Sequence, residues 1–494
     1  MRVLRCWAGG PEVPGLASGV PGLDLVLGGG LEGGALVVVA GSPGTGKTIL
    51  AQQICFSRAT SAYPALYFTT MSEPTTKLVR HLEPFSFFDA DALERRVEFL
   101  SLGGLLEDGD GAGLDAVFGE ITRRVFDGEP SVVVVDSSKA LHGFVGGDRF
   151  RRLVYDLAGR VAHSSAVLVF VGEYTVEEIE EALPEFAIAD TIIWLAREPV
   201  GPIDRQWLRV IKVRGAAPVQ GQHSFAIGAD GAAVFPRLES TLPVRGPISR
   251  QRISIGVAAI DELLGGGIPS GDATLLLGPS GVGKTILALR FLARALEQGE
   301  PGTYMTFQES EGQLLAKAAN FGWDLAGPLV SGQLRIFAIP PVEVSLDAVG
   351  AVLRERIGKM DGGRVVVDSL AELAYAARQT ERLPAYMWSM AAIANTRGAS
   401  TLVTSETALL GATELTLGLS FLFQNMILMR FYEAGSRISR ALSVLKMRDS
   451  DHADSHTEFV ITDAGVELRD VLTGLRGVLG FTTLTTDRPF GPTP

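Results

Sequence analysis

GSPGTGKT at Gly41–Thr48 and GPSGVGKT at Gly278–Thr285 are two copies of one pattern, G-x-x-x-x-G-K-[ST]. In such a loop the backbone N–H groups wrap phosphate oxygens, the lysine reaches the β- and γ-phosphates, and the final hydroxyl joins Mg2+. The flanks repeat too. SGVPGLDLVLGGGLEGGALVVVAG leads into the first loop and SIGVAAIDELLGGGIPSGDATLLLG into the second, with Gly19/Gly256, Asp24/Asp261, Gly28/Gly265 and Lys47/Lys284 at a single offset. This is an internal duplication. Two nucleoside triphosphates are expected, one on Gly41, Ser42, Pro43, Gly44, Thr45, Gly46, Lys47 and Thr48, the other on Gly278, Pro279, Ser280, Gly281, Val282, Gly283, Lys284 and Thr285.

Outward from each loop, strands and helices alternate. Ala35–Ala40 predicts a strand, Thr48–Ala59 a helix and Ala65–Thr70 the next strand; the second half repeats this with Ala273–Leu277, Thr285–Glu297 and Gly302–Phe307. Such alternation implies an α/β fold with a mostly parallel sheet flanked by helices in each half. SVVVVDSS places Asp136 at the end of a buried-strand run, and RVVVDSLA does the same for Asp368. Each follows its loop by roughly 80–90 residues, where a carboxylate holds the water shell of Mg2+ beside Thr48 or Thr285. Phe225–Phe235 and Phe459–Leu468 predict terminal hairpins. The proline-broken stretch PRLESTLPVRGPISRQR predicts a linker, giving domains 1–245 and 246–473 and a loose tail 474–494.

Composition narrows the partners. The 494 residues are 46% hydrophobic and 20% charged, with a formal net charge of −12. That is globular material, and it lacks the basic stripe that drives nucleic-acid binding. Neither a secretory apolar stretch nor a membrane-length run is present, and Cys6 and Cys55 make no disulfide framework, so a cytoplasmic protein is expected. Only eight lysines occur. Lys47 and Lys284 belong to the loops and Lys212 and Lys446 to the repeated K-x-R described next; Lys77, Lys139, Lys317 and Lys359 are expected to be solvated surface residues.

Two RecA-type P-loop NTPase halves, each opened by a G-h-x-x-h-D-x-h-L-G-G-G segment and closed by K-x-R, resemble the KaiC family of tandem ATPases and autokinases. The resemblance runs from about Ser18 to Val471 and is sharpest in SRISRALSVLKMRDSDH followed by FVITDAG. It implies a homohexameric double ring with ATP and Mg2+ between subunits. It also implies that Lys212, Val213 and Arg214, and Lys446, Met447 and Arg448, reach a neighbour's γ-phosphate, where a cation supplied in trans stabilises transferring charge. Arg440, Ser450 and His452 match the family's nucleotide-contact pattern, and Phe321 falls where an aromatic packs near the base. The corresponding first-half stretch, GAAPVQG, lacks the hydroxyl and histidine.

The departures carry the functional expectation. Where the family has paired glutamates able to activate water, the second half reads TFQES, keeping Glu309 but placing Gln308 first; the first half reads TTMSEP, with Met71 and Ser72 at the paired positions and Glu73 one residue beyond. Hydrolysis is therefore expected mainly from the C-terminal half through Glu309, with ATP in the N-terminal half a structural ligand unless Glu73 rescues that site. Autophosphorylation is the lesser expectation: Thr413 and Thr416, with Glu414 between them, are the possible phosphoacceptors, but the favoured reading makes them ordinary loop threonines. Two other functions stay open: a RecA/RadA-like DNA-dependent ATPase, and a signalling scaffold that ATP only assembles. Protein partners of a clock or signalling pathway are implied by the resemblance and named by no motif.

Overall fold

The computed structural model describes residues 16–70, 75–93, 95–106, 111–144, 147–181, 183–200, 203–240, 251–340, 345–377, 380–406, 421–434, 437–448, 450–473, 475–476 and 485–486. Met71, Ser72, Glu73, Thr413, Glu414, Thr416, the 241–250 linker and most of the tail lie outside them. The chain divides into two compact units, Met1–Ser240 and Thr241–Pro494. Among the described residues no helix is long and apolar enough to cross a membrane.

In the first unit the strands are β1 (Leu36–Gly41), β2 (Ala65–Thr69), β3 (Val97–Ser101), β4 (Val132–Asp136), β5 (Val167–Glu173), β6 (Thr191–Val200), β7 (Ile203–Val213), β8 (His223–Gly228) and β9 (Gly231–Phe235). They form one sheet in the order β3-β2-β4-β5-β1-β6-β7-β8-β9. Strands β1 to β6 run parallel, and β7, β8 and β9 add antiparallel to one edge. The second unit repeats this order with β10 (Ala273–Gly278), β11 (Gly302–Thr306), β12 (Leu334–Ala338), β13 (Arg364–Asp368), β14 (Ser400–Glu406), β15 (Asn425–Ala434), β16 (Arg437–Met447), β17 (His456–Thr462) and β18 (Gly465–Val471), arranged β12-β11-β13-β14-β10-β15-β16-β17-β18. Two tandem RecA-like domains are the result.

The unbroken Val and Leu runs fold this way because a parallel sheet with helices on both faces buries every side chain of its central strands. Alternate residues of β1 divide between two cores. Val37 and Val39 pack with Leu50 and Ile54 of helix α1 (Lys47–Arg58), whereas Leu36, Val38 and Ala40 pack with Leu114, Val117 and Phe150 on the opposite face. Each fully buried side chain of this size contributes about 2 kcal/mol. Observed element ends differ from the sequence expectation by about a residue; both loop helices begin on the lysine itself, at Lys47 and at Lys284 of α2 (Lys284–Glu297).

In both sheets the loop-bearing strand and a parallel neighbour lead off in opposite directions, β1 to β2 on one side and β5 to β6 on the other, and likewise β10 to β11 and β14 to β15. The crevice beyond their carboxyl ends is where such sheets bind ligands.

Candidate functional site

Each phosphate loop leaves the carboxyl end of a central strand and turns directly into a helix. The turn depends on glycine: Gly46 and Gly283 cap α1 and α2 at φ 94° and 116°, in the left-handed region. An added Cβ would strike Ile227 and Ile461, respectively. The helix N-terminus faces the crevice with unpaired N–H groups and a positive dipole end, an anion site by construction. Lys47 Nζ donates to the Ser42 carbonyl at 2.7 Å, and Lys284 Nζ to those of Gly278 and Pro279 at 2.7 and 2.9 Å. Burial holds both ammonium groups below the usual lysine range, against the pull of nearby carboxylates.

Asp136 and Asp368 end β4 and β13, each one strand removed from the loop-bearing strand, at the same edge as the loops. Thr48 Oγ1 donates to Asp136 at 2.8 Å and Thr285 Oγ1 to Asp368 at 2.9 Å. A tyrosine on the adjacent strand donates to the same oxygen: Tyr67 to Asp136 at 2.6 Å, Tyr304 to Asp368 at 2.7 Å. Thr404 also donates to Asp368. Burial pushes the Asp136 carboxyl up, opposed by the Tyr67 and Thr48 hydrogen bonds. Oxygen donors of this kind fit Mg2+. Among the described residues no cluster of three or more His, Cys, Asp or Glu could hold a metal unaided. A cation here would thus be shared with phosphates and water.

The second cleft, about 430 Å³, is walled by Thr306, Gln308, Glu309, Lys317, Phe321, Asp368, Glu372, Glu406 and Ile461 around Lys284 and Thr285. The structure thus brings Gln308, Glu309 and Phe321 to the loop. Phe321 stacks on Trp323 with centroids 4.8 Å apart. Lys317, expected at the surface, instead points into the cleft and ion-pairs with Glu309 at 2.5 Å. It does so because Lys317, in the last turn of helix α3 (Glu311–Asn320), reaches back to the carboxylate of Glu309 just before the helix. The other oxygen of Glu309 is buried without a hydrogen-bond partner. Gln308 Nε2 donates to Glu372, and Ser369 Oγ donates to the other oxygen of the same carboxylate.

The first cleft, about 490 Å³, is lined by Lys47, Thr48, Tyr67, Thr69, Leu78, Asp136, Ser137, Glu173 and Ile227 among others. Its described carboxylates are Asp136 and Glu173. Glu173 and Glu406 were not singled out from sequence. Each pairs in register with the last residue of the loop-bearing strand, Gly41 or Gly278, and its charge acts on the loop lysine. The available signal was a glutamate ending the apolar strand after Asp136 and again after Asp368.

The K-x-R segments lie elsewhere. Lys212 pairs with Ile192 and Val213 with Thr191, which itself pairs with Val37 at the amino end of β1. Lys446 and Met447 sit equivalently beside Met426 and Asn425, the latter against Thr274. Four residues of strand, about 13 Å, separate that end from the chain's own loop. Lys446 donates to the Phe423 carbonyl at 2.8 Å and Arg448 to that of Phe421 at 3.0 Å; Arg214 pairs with Asp190 at 3.1 Å. Burial and the neighbouring arginine both lower the Lys212 and Lys446 ammonium groups. Arg440 stacks over Phe431 at the opposite, loop-side end of β16, so it is not brought together with Ser450 and His452. Ser450 instead accepts from Arg252 beside Gly265.

Sequence comparison adds the family. The model described as "ATPase: KaiC" matches residues 16–239 and again 253–471. The circadian clock oscillator protein KaiC of Thermosynechococcus vestitus is 27% identical over 484 residues, covering 95% of this chain and 92% of that protein. The protein of the same name from Synechococcus elongatus is 26% identical over 464 residues, covering 91% and 88%.

Proposed function

The chain belongs to the KaiC family of ATPases, and from that premise we propose that it is an ATP-assembled ring, a hexamer in the family's pattern, hydrolysing ATP with Mg2+ at subunit interfaces. Its slow turnover changes ring conformation and thereby its affinity for protein partners of a cytoplasmic clock or signalling pathway. The observation that carries this is the separation of each K-x-R from its own phosphate loop by the length of a central strand. Burial and the adjacent arginine lower the Lys212 and Lys446 ammonium groups, and the negative charge of a neighbour's γ-phosphate would oppose that shift. A head-to-tail contact of loop on one chain with K-x-R on the next closes into a ring.

The two sites divide the work. In the C-terminal cleft Lys284 grips phosphate, Thr285 and Asp368 would hold Mg2+ and its water shell, Phe321 packs against the base, Glu309 holds Lys317 in the wall, and Gln308 and Glu372 receive the attacking water. In the N-terminal cleft Lys47, Thr48 and Asp136 hold nucleotide as a clamp between subunits. Mixing chains tests the shared site. Lys284→Ala and Arg448→Ala proteins are each inactive alone, but together they regain up to about a quarter of wild-type turnover, since random assembly leaves that share of head-to-tail interfaces intact. No regain at any ratio contradicts the proposal.

A further inference from the structure

We infer that Glu372 is the group that takes the proton of the attacking water in the C-terminal cleft, with the Gln308 amide positioning that water. The inference rests on the proposal that this cleft hydrolyses ATP and names the acceptor within it. Position 308 lines the cleft at the end of β11, but an amide cannot accept a proton at neutral pH. Its Nε2 donates to one oxygen of Glu372. The amide oxygen is then left to accept from a water, while the carboxylate beside it offers the base. Ser369, the residue after Asp368, anchors the second oxygen of Glu372. Each carboxylate oxygen has two lone pairs, so both anchors leave capacity for a water proton.

Helix α4 (Leu370–Ala377) starts two residues after Asp368 and brings Glu372 around on its first turn to the cleft. Its charge reaches Lys284, the cation that grips the terminal phosphates, as do those of Glu406 and Asp368. Glu309 is committed differently: one oxygen is held by Lys317 and the other is buried away from water. It fixes Lys317, in the last turn of α3. The first repeat has Ala140 where the second has Glu372, four residues past the strand-end aspartate in each case. The carboxylate thus belongs only to the half in which Gln308 occupies the first paired position.

In the step itself, a water O–H bond breaks and its proton passes to Glu372 as the new O–P bond forms at the γ-phosphorus. The bond from that phosphorus to the β,γ-bridging oxygen breaks, and its electron pair leaves on ADP.

The test is phosphate release from full-length protein with ATP and Mg2+, alongside the affinity of a fluorescent ATP analogue on the same samples. Glu372→Gln lowers kcat by about 100-fold, the lower end for loss of a general base, with affinity within about threefold, which also reports a folded cleft. The exchange Gln308→Glu with Glu372→Gln keeps one amide and one carboxylate and restores turnover to within about tenfold of wild type, as a purely structural contact would not. Glu309→Gln costs less than Glu372→Gln. Turnover of Glu372→Gln within twofold of wild type, or an exchange variant no faster than Glu372→Gln alone, overturns the inference. Failure of the underlying proposal looks different: wild-type protein then shows no turnover, or turnover that survives Lys284→Ala.

Discussion

Tyr304 donates its hydroxyl to Asp368 at 2.7 Å, and Tyr67, its counterpart in the first repeat, donates to Asp136 at 2.6 Å. Both phenols are fully buried, and burial beside a carboxylate holds each well above the ordinary tyrosine pKa, so each remains a donor. The tyrosine fixes the carboxylate against the loop threonine before any nucleotide arrives.

Removing that donor should loosen the magnesium site rather than the phosphate grip. Tyr304→Phe is expected to raise the Mg2+ concentration for half-maximal turnover about tenfold, the usual cost of losing an outer-shell partner. Nucleotide affinity without metal should change little. A magnesium titration identical to wild type contradicts this role.

Lysine burial gives ATP binding an alkaline limit. The free-state Lys284 ammonium is depressed chiefly by desolvation, and a bound triphosphate adds negative charge that raises it. A group whose pKa is higher in the complex contributes its full affinity below the free-state value, and loses it as pH rises from that value through the bound-state one. Analogue affinity at the C-terminal cleft, isolated in Lys47→Ala protein, should therefore hold near neutrality, fall toward pH 10 and show proton uptake by calorimetry in the alkaline range. A flat profile with no proton uptake contradicts the prediction.

Arg364 is wholly buried at the start of β13 and donates to the Ser254 and Phe291 carbonyls, both at 2.7 Å, while lying 4.6 Å over the Phe291 ring. Arg364→Met leaves two carbonyls without these donors and should destabilise the second unit by about 3 kcal/mol. Urea unfolding followed by the fluorescence of Trp323, whose ring packs in that unit, reads the loss. A midpoint unchanged from wild type contradicts it.

What the sequence made legible was local or repeated. The loops, their lysines and threonines, and Asp136 and Asp368 announce themselves because the chemistry needs adjacent residues or an acid at a strand end. The duplicated α/β plan follows from alternation and matches the two sheets. Glu372, Lys317, Glu173, Glu406 and the two tyrosines stayed hidden because each reaches its cleft through strand order or helix rotation, which no short window encodes. Glu372 illustrates the difference: in sequence it is one acid in an Ala- and Leu-rich helix, and only the neighbouring strand end, carrying Gln308, gives it a partner. Arg440 shows the converse, a motif position that the length of β16 carries away from Ser450 and His452.

The division of labour between the repeats is tested most directly by ATP turnover of wild type, Lys47→Ala and Lys284→Ala, with the assembly state of each measured in the same preparations. Lys284→Ala should abolish turnover in rings that still assemble, and Lys47→Ala should chiefly weaken assembly. Turnover lost in intact Lys47→Ala rings, and retained in Lys284→Ala rings, would contradict the account and place hydrolysis in the N-terminal half.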